Sequence, residues 1–403
     1  MFRIWPRRLC RAGVYGSCLA GLVTVAAYAP AAATAVPRGG SGWRVAARVT
    51  VPGATVIMLS VAPTPRDQAW ATGLSVKRSG RDGRLVIERW SGHGWRPAPV
   101  PARMSAAFGR PAAGYSGPPF PVAAASSPGN TWIFNQITGA WLRWDGRRWS
   151  DGVLPGRGGG GEVAVTSALA AGSRGAWAFG GRLTARGTLT PWAAQRRRGR
   201  WVVTAMPAGL PKMLVSAVSA AGPDDIWATI GYGGQVIFPA QGNGGALARW
   251  DGHRWHRMRL PAALAATGDP TSVLAASSRD VWVGGGVANS KEGLTEAIAH
   301  WDGSRWRVTR VPAAASRANC VLRSLVARRA GVLGLGVCLN FNGSISSRLW
   351  QLADGQWSSP ATPSLAGRRA VLLDLAGAGH AAVTWGTGNA GNAGVIAASG
   401  PVR

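Results

Sequence analysis

The sequence predicts an all-β chain built from repeated four-stranded units, and three observations carry that prediction. First, a hairpin-like stretch recurs: SGWRVAARVTVP (41–52), WSGHGWRPAPVP (90–101), WDGRRWSDGVLP (144–155), RRGRWVVTAMP (197–207), WDGHRWHRMRLP (250–261), WDGSRWRVTRVP (301–312) and ADGQWSSPATP (353–363). The tryptophans after the turns, Trp43, Trp95, Trp149, Trp201, Trp255, Trp306 and Trp357, lie 51 to 54 residues apart. Second, an apolar strand, a polar turn, a Trp-centred strand and a glycine precede the hairpin, as in SVLAASSRDVWVGGG (272–286), VTSALAAGSRGAWAFGG (165–181) and LVSAVSAAGPDDIWATIG (214–231). Third, 58 Gly, 26 Pro and 21 Trp with few Lys and Glu favour short strands and tight turns. The strands on either side of each Asp-Gly or Ser-Gly turn complete four per repeat, here A to D. A four-stranded repeat of this length is the signature of a β-propeller blade.

Taken from the amino terminus, residues 1–35 read as a signal peptide. Arg3, Arg7, Arg8 and Arg11 precede an apolar run over 14–29, and Ala33-Thr34-Ala35 offers small residues for cleavage. The run falls short of the roughly 20 residues of a membrane span and is interrupted by Gly16 and Gly21. Arg7-Arg8 leaves the twin-arginine route open beside the general secretory one. Residues 36–403 then form a single β-propeller domain with no later transmembrane stretch, long enough to bury a core without metals. Residues 36–52 hold a strand with no partner upstream, and blades follow at about 53–101, 102–155, 156–207, 208–261, 262–312, 313–363 and 364–403. The last supplies strands A to C and stops after Ser399-Gly400, so the strand of 36–52 is its missing strand D. The expected fold is a seven-bladed β-propeller of four-stranded antiparallel blades, in which this N-terminal outer strand completes the C-terminal blade and leaves no open sheet edge. Asp-Gly suits a tight hairpin, because both turn residues can take positive φ, and a loop of two or four residues puts the flanking tryptophans on one blade face. Those tryptophans read as packing between blades; Trp141 and Trp192 stand off the repeat.

The run VWVGGG followed by AIAHWDGSRWRVTRVP resembles the kelch-type repeat, in which a glycine doublet ends one strand and Tyr-Asp-Pro precedes a Trp on a later one. The doublet is kept at Gly180-Gly181 and Gly284-Gly285, and Trp-Asp-Gly stands in place of Tyr-Asp-Pro. The Asp-Gly-x-x-Trp hairpins are also similar to sialidase Asp boxes, which carry an extra residue between Asp and Gly. Both resemblances imply a propeller, and neither brings a function with it.

Cys320 and Cys338 are the only cysteines beyond the signal. Their midpoint falls in the Ala327-Arg328-Arg329-Ala330 turn between strands A and B of the sixth blade, so they face each other across a hairpin and are expected to form a disulfide. That blade carries Leu333 or a neighbour where the others have a strand-B Trp. No cofactor and no metal site is expected: His253 and His256 share a hairpin on opposite faces, and GRGGGGE (156–162) lacks the Gly-Lys-Ser ending of a phosphate loop. The copper-radical oxidases among kelch-like propellers need two Tyr, two His and a Cys. Beyond the signal only Tyr115 and Tyr232 remain. Paired carboxylates are scarce as well, with Glu limited to Glu88, Glu162, Glu292 and Glu296 and much of the Asp in turns.

Charge is the remaining signal. The net charge is +29, carried by 42 Arg against Lys77, Lys212 and Lys291, a ratio that a GC-rich genome would also favour. The A–B and C–D turns of a propeller share one face. Arg147, Arg148, Arg196, Arg197, Arg198, Arg200, Arg254 and Arg305 are placed at C–D turns, and Arg66, Arg174, Arg279, Arg328 and Arg329 at A–B turns. This basic face suits an anionic envelope polymer, a glycan or a protein partner. Sequence-specific nucleic-acid recognition is not indicated, because no reading helix or stacking motif is present. The opposite face carries the longest irregular segments, 103–120 and 231–245, with Tyr115, Phe120, Tyr232 and Phe238 as candidate ligand contacts. The expectation is an exported, monomeric, non-catalytic binding or scaffold protein of the envelope or the extracellular space. The alternative is a secreted carbohydrate-active enzyme, a glycoside hydrolase or lyase, with its site at the channel mouth. Carboxylates or histidines clustered there would favour the enzyme, and a bare channel with a basic face the binding protein.

Overall fold

The computed structural model describes residues 42–64, 68–77, 83–109, 120–155, 162–171, 175–184, 188–231, 244–266, 268–288, 293–311, 318–328, 331–340, 342, 344–377 and 383–400. The first strand, β1 (Trp43–Val49), is followed by four-stranded antiparallel runs in sequence order. They are β2 (Ala54–Pro63), β3 (Ala69–Lys77), β4 (Gly83–Trp90) and β5 (Trp95–Pro97); then, after α1 (Ala102–Phe108), β6 (Pro121–Ser127), β7 (Asn130–Asn135), β8 (Ala140–Trp144) and β9 (Trp149–Val153). Next come β10 (Glu162–Ala171), β11 (Gly175–Leu183), β12 (Leu189–Arg197) and β13 (Arg200–Thr204), and β14 (Leu214–Gly222), β15 (Asp225–Gly231), β16 (Ala246–Trp250) and β17 (Trp255–Met258). After α2 (Ala262–Ala266), an eight-stranded sheet holds two such runs, joined by the single parallel contact of Leu294 with Asn319. One is β18 (Gly268–Ser277), β19 (Asp280–Ala288), β20 (Leu294–Trp301) and β21 (Trp306–Arg310); the other is β22 (Ala318–Arg328), β23 (Gly331–Asn340), β24 (Ile345–Ala353) and β25 (Gln356–Ser358). A short ribbon of β26 (Ser364–Leu365) and β27 (Arg368–Arg369) leads to β28 (Val371–Gly377), β29 (Thr384–Ala390) and β30 (Ala393–Ser399).

The last sheet is completed from the other end of the chain. β1 pairs antiparallel with β30, Trp43 opposite Ser399 and Val49 opposite Gly394, in the order β1-β30-β29-β28. First strands of successive runs meet in the order β2, β6, β10, β14, β18, β22, β28, and β28 meets β2 again. The apolar faces are buried between neighbouring runs. Trp70 lies against Trp144 and Trp149 of the next run at 6.2 and 5.8 Å between ring centres, and Trp177 against Trp250 and Trp255 at 5.2 and 6.0 Å. Across the junction of the chain ends, Trp385 lies against Trp90 and Trp95 at 5.2 and 5.0 Å. The repeated tryptophans are thus packing residues, and the off-repeat Trp141 and Trp192 join the same buried core. Leu333, buried in β23, takes the place of the missing strand-B indole.

Two local expectations need correction. The Trp90/Trp95, Trp144/Trp149, Trp250/Trp255 and Trp301/Trp306 hairpins each pair the two indole residues directly, across four-residue loops. In the Asp-Gly loops only the glycine has positive φ (Gly146 99°, Gly252 94°, Gly303 92°). The aspartate instead accepts backbone N–H groups: Asp145 Oδ1 from Arg147 and Arg148, both at 2.9 Å, with Asp251 and Asp302 doing the same in their loops. Among the described residues a pair of positive-φ residues occurs in the two-residue turns Arg198-Gly199, Asp354-Gly355 and Ala366-Gly367. Second, the first strands are not uniformly apolar, for a reason that lies at the centre of the molecule.

Candidate functional site

One cavity of about 300 Å³ lies on the axis, walled by β2, β6, β10, β14, β18, β22 and β28. Beside the cavity the pairing of six of these strands to the next strand slips by one residue, at Leu59, Thr166, Ser216, Thr271, Arg323 and Leu373, whereas β6 slips at its hairpin end. A bulge turns its extra residue away from the ladder. Here it aims hydroxyl groups at the neighbouring strand: Ser216 Oγ donates to Pro270 O at 2.6 Å, Thr271 Oγ1 and Ser272 Oγ donate to Leu322 O at 2.7 Å, and Thr166 Oγ1 donates to Val215 O. Ser60 Oγ accepts Ala123 N–H at 3.2 Å, and Val165 N–H donates to Gln136 O at 2.8 Å. Asp374 closes the belt, accepting Ser324 Oγ–H at 2.9 Å and Val61 N–H at 3.1 Å. Burial pushes its carboxyl up from the ordinary range, against the lowering effect of the Val61 N–H and the Arg323 guanidinium. Arg323 Nε donates to Leu373 O at 2.8 Å. Among the described residues the cavity wall therefore carries a single carboxylate, already engaged on three sides, among hydroxyl and backbone groups.

The candidate arginines fall into two groups. Arg147, Arg148, Arg254 and Arg305 are exposed on the four-residue loops, and Arg197, Arg198 and Arg200 are exposed around the turn between β12 and β13. Arg148 and Arg305 each lie 3.5 Å from their own turn aspartate. The N–H groups of the turn hold Asp145 below its ordinary pKa, Arg148 first and Arg147 second. Arg196 departs from the expected solvent-facing turn: it sits in β12, its guanidinium 5.1 Å from Trp132, 5.2 Å from Trp141 and 5.9 Å from Trp201, and burial lowers its pKa. Similar stacking recurs elsewhere, with Arg89 over Trp70, Arg143 over Trp132, Arg249 over Trp227 and His300 on Trp282. The cation just before these strand-C tryptophans is thus a packing residue, and its trace in the sequence is RWSG, RWDG and HWDG. Arg328, half-buried, donates to Ser399 Oγ at 2.8 Å. Phe120 lines the central cavity and accepts Gln136 N–H through its carbonyl at 2.8 Å. Tyr115, Tyr232, Phe238, Arg66, Arg174, Arg329 and the signal residues lie outside the described residues.

A second opening was not anticipated. Between the β14–β17 and β18–β21 runs, a cleft of about 900 Å³ is lined by Trp227, Trp301 and Trp306. Met258 and Leu260 add apolar wall, and Arg259, Ser304 and Arg305 bring polar groups to it. Leu264 of α2 packs into the core beneath.

No protein-family model and no curated protein matches the chain in sequence. In shape it is similar to the extracellular domain of a one component system from B. thetaiotaomicron, with a TM-score of 0.53 at 11% identity over 89% of this chain and 40% of that one. A β-propeller domain from Myceliophteria thermophila matches with a TM-score of 0.51 at 13% identity over 89% of this chain and all of that one. A six-bladed β-propeller lectin from Aleuria aurantia scores 0.44 at 14% identity over 80% of this chain and all of that one. The first two matches, with the sheets described above, identify the fold as a β-propeller.

Proposed function

We propose that this protein is a seven-bladed β-propeller that acts outside the cytoplasm as a non-catalytic binding protein for an anionic glycan or envelope polymer. Seven blades are supported by the first strands that share one central cavity and by their contact order, which returns from β28 to β2. The blade boundaries read from the sequence, and residues 1–35 as a signal peptide, belong to the same reading. The Cys320–Cys338 disulfide supports an oxidising compartment. No helix of the described residues is long and apolar enough to cross a membrane.

The observation that carries the binding role is a set of exposed, uncompensated arginines. Arg147, Arg198, Arg200 and Arg254 have no carboxylate partner among the described residues: the turn aspartates beside Arg147 and Arg254 are occupied by backbone N–H groups and another side chain, and the turn of Arg198 and Arg200 has no acidic residue. Strand order alone puts the C–D turns of every blade at one end of the molecule. The Trp227, Trp301 and Trp306 cleft adds indoles against which the C–H face of a sugar ring can pack, with Arg305 and Arg259 placed for its acidic groups. The enzyme alternative finds less support, since glycoside hydrolysis takes two carboxylates and the described wall of the central cavity has one, Asp374.

A polyanion bound by many arginines releases counterions, so retention on a sulfated glycan should fall steeply with salt and rise with polymer length. Replacing Arg147, Arg198, Arg200 and Arg254 with Ser should flatten that dependence without loss of fold. Arg196 is kept, because its removal would strip packing from three indoles. Equal elution of parent and variant across the salt gradient would remove the basic face from the function.

A further inference from the structure

Glu88 breaks a pattern that the repeats otherwise keep. It stands two residues before the strand-C tryptophan, where the corresponding residues of other blades are Leu142, Ala248 and Ala299, all buried. Its side chain is only 6% exposed and has no hydrogen-bond or ion-pair partner among the described residues. It borders a cavity of about 320 Å³, whose other walls include Val49 and Val51 after the N-terminal strand, Leu85 and Val100, with the hydroxyl residues Thr50 and Ser105. Among the described residues Glu88 is the one titratable residue in that wall. Arg89 and its cross-strand partner Arg96 belong to the opposite face, Arg89 lying over Trp70, and Arg48 is exposed beside Val49.

An ionised carboxylate held in apolar surroundings without a partner is costly. Nothing along the lining supplies a compensating cation, although the chain carries arginine almost everywhere else. We propose that this cavity binds a small amine as its ammonium ion, with Glu88 as the counter-charge, Thr50 and Ser105 as acceptors for remaining N–H groups, and the alkyl part against Val49, Val51 and Val100. The volume lies at the lower end of the range for small-molecule pockets, which fits a ligand of modest size. Burial pushes the Glu88 carboxyl up to about 7, in keeping with a group that lacks its partner.

The site makes demands opposite to those of the arginine face. Its ligand is a cation approaching a chain of net charge +29, so added salt should leave binding unchanged or strengthen it, whereas it weakens a polyanion complex. The probe is n-hexylammonium, compared with n-hexanol by calorimetry on the signal-free protein at pH 6 and pH 8. Since only ionised Glu88 pairs with the ammonium, affinity should rise about tenfold between these pH values, as the competent fraction rises. Hexanol should bind at least about tenfold more weakly at pH 8, for want of the charge-assisted contact. Glu88→Gln should abolish the pH dependence, and Glu88→Leu, which restores the residue type of Leu142, should abolish binding with the fold retained by circular dichroism. Equal binding of hexanol and hexylammonium, an undiminished Glu88→Gln variant, or no heat at millimolar probe would each overturn the assignment. None of these outcomes depends on the polyanion reading.

Discussion

Cations in this chain divide at the residue scale by what lies beneath them. Arg89, Arg143, Arg249 and Arg196 rest on indoles, and a desolvated cation–π contact is worth up to about 2 kcal/mol; the first three brace neighbouring strands of one blade, and Arg196 reaches Trp132 of the blade before it. Arg147 and Arg254, one turn away, are exposed and free of such contacts. The sequence does not separate the two groups by composition, but it does by position: the residue before Trp in RWDG stacks, and those after Asp-Gly do not. Glu88 follows the same register and yields a prediction about pH. Below about 4.5 its carboxyl is protonated in the folded and the unfolded chain alike. Between 4.5 and about 7 the unfolded chain releases the proton while the folded protein keeps it, so stability falls as pH rises. Above 7 the loss is complete and amounts to roughly 3 kcal/mol. Glu88→Gln should therefore raise the urea midpoint at pH 8 and leave it nearly unchanged at pH 4. A gain of the same size at both pH values would mean that the carboxyl is not perturbed.

Turns and bulges organise the element scale, and the sequence reveals them unequally. Asp-Gly and Trp pairs are local signals, fixed by residues within six positions of one another, so the hairpins from Trp144 to Trp149 and from Trp250 to Trp255 were legible. The bulges at Thr166, Ser216, Thr271 and Arg323 were not, because the acceptor that each bulged side chain meets lies about 50 residues away on the next blade. Once the register is known, a polar residue at the same point of each first strand, VTS, VSA, PTS and LRS, becomes the visible trace. The clefts were invisible for a similar reason: the spacing between Trp227 and Trp301 depends on how two blades meet. The disulfide shows the opposite case, since Cys320 and Cys338 stand directly opposite each other in one hairpin, their Cα atoms 4.0 Å apart. Closing a loop of this length is worth about 3 kcal/mol by chain entropy. Replacing both cysteines with Ala should lower the thermal midpoint by several degrees, whereas a reductant should lower that of the parent and leave the double variant unmoved. A reductant that shifts both alike would show that the cross-link does not carry the difference.

Closure is a property of the whole molecule, and two structures secure it from different sides. On the axis, Asp374 of the last blade accepts Val61 N–H from the first and Ser324 Oγ–H from the blade before, so one side chain ties three successive units. At the rim, β1 covers β30, a strand whose seven residues are all buried, and Val49 contributes to the indole cluster of Trp90 and Trp385. The unpaired stretch after Ser41-Gly42 pointed to this rim closure from the sequence, because a strand without a neighbour at one end matched a blade without an outer strand at the other. The axial tie could not be read in that way, Asp374 being one Asp in LLDLAG with no local partner. If β1 is the rim lock, deleting residues 36–52 should expose the hydrogen-bonding edge of β30 along Gly394–Ser399, an open template for another chain. It should also remove the buried Val49, worth roughly 1.5–3 kcal/mol, and the partly buried Val45 packed against the neighbouring core. The axial belt would persist, since none of its hydrogen bonds involves β1, and the truncated protein should keep β-rich circular dichroism while its melting midpoint falls and it self-associates during size exclusion. A truncated protein that remains monodisperse at the parental midpoint would show that closure rests on the axis alone.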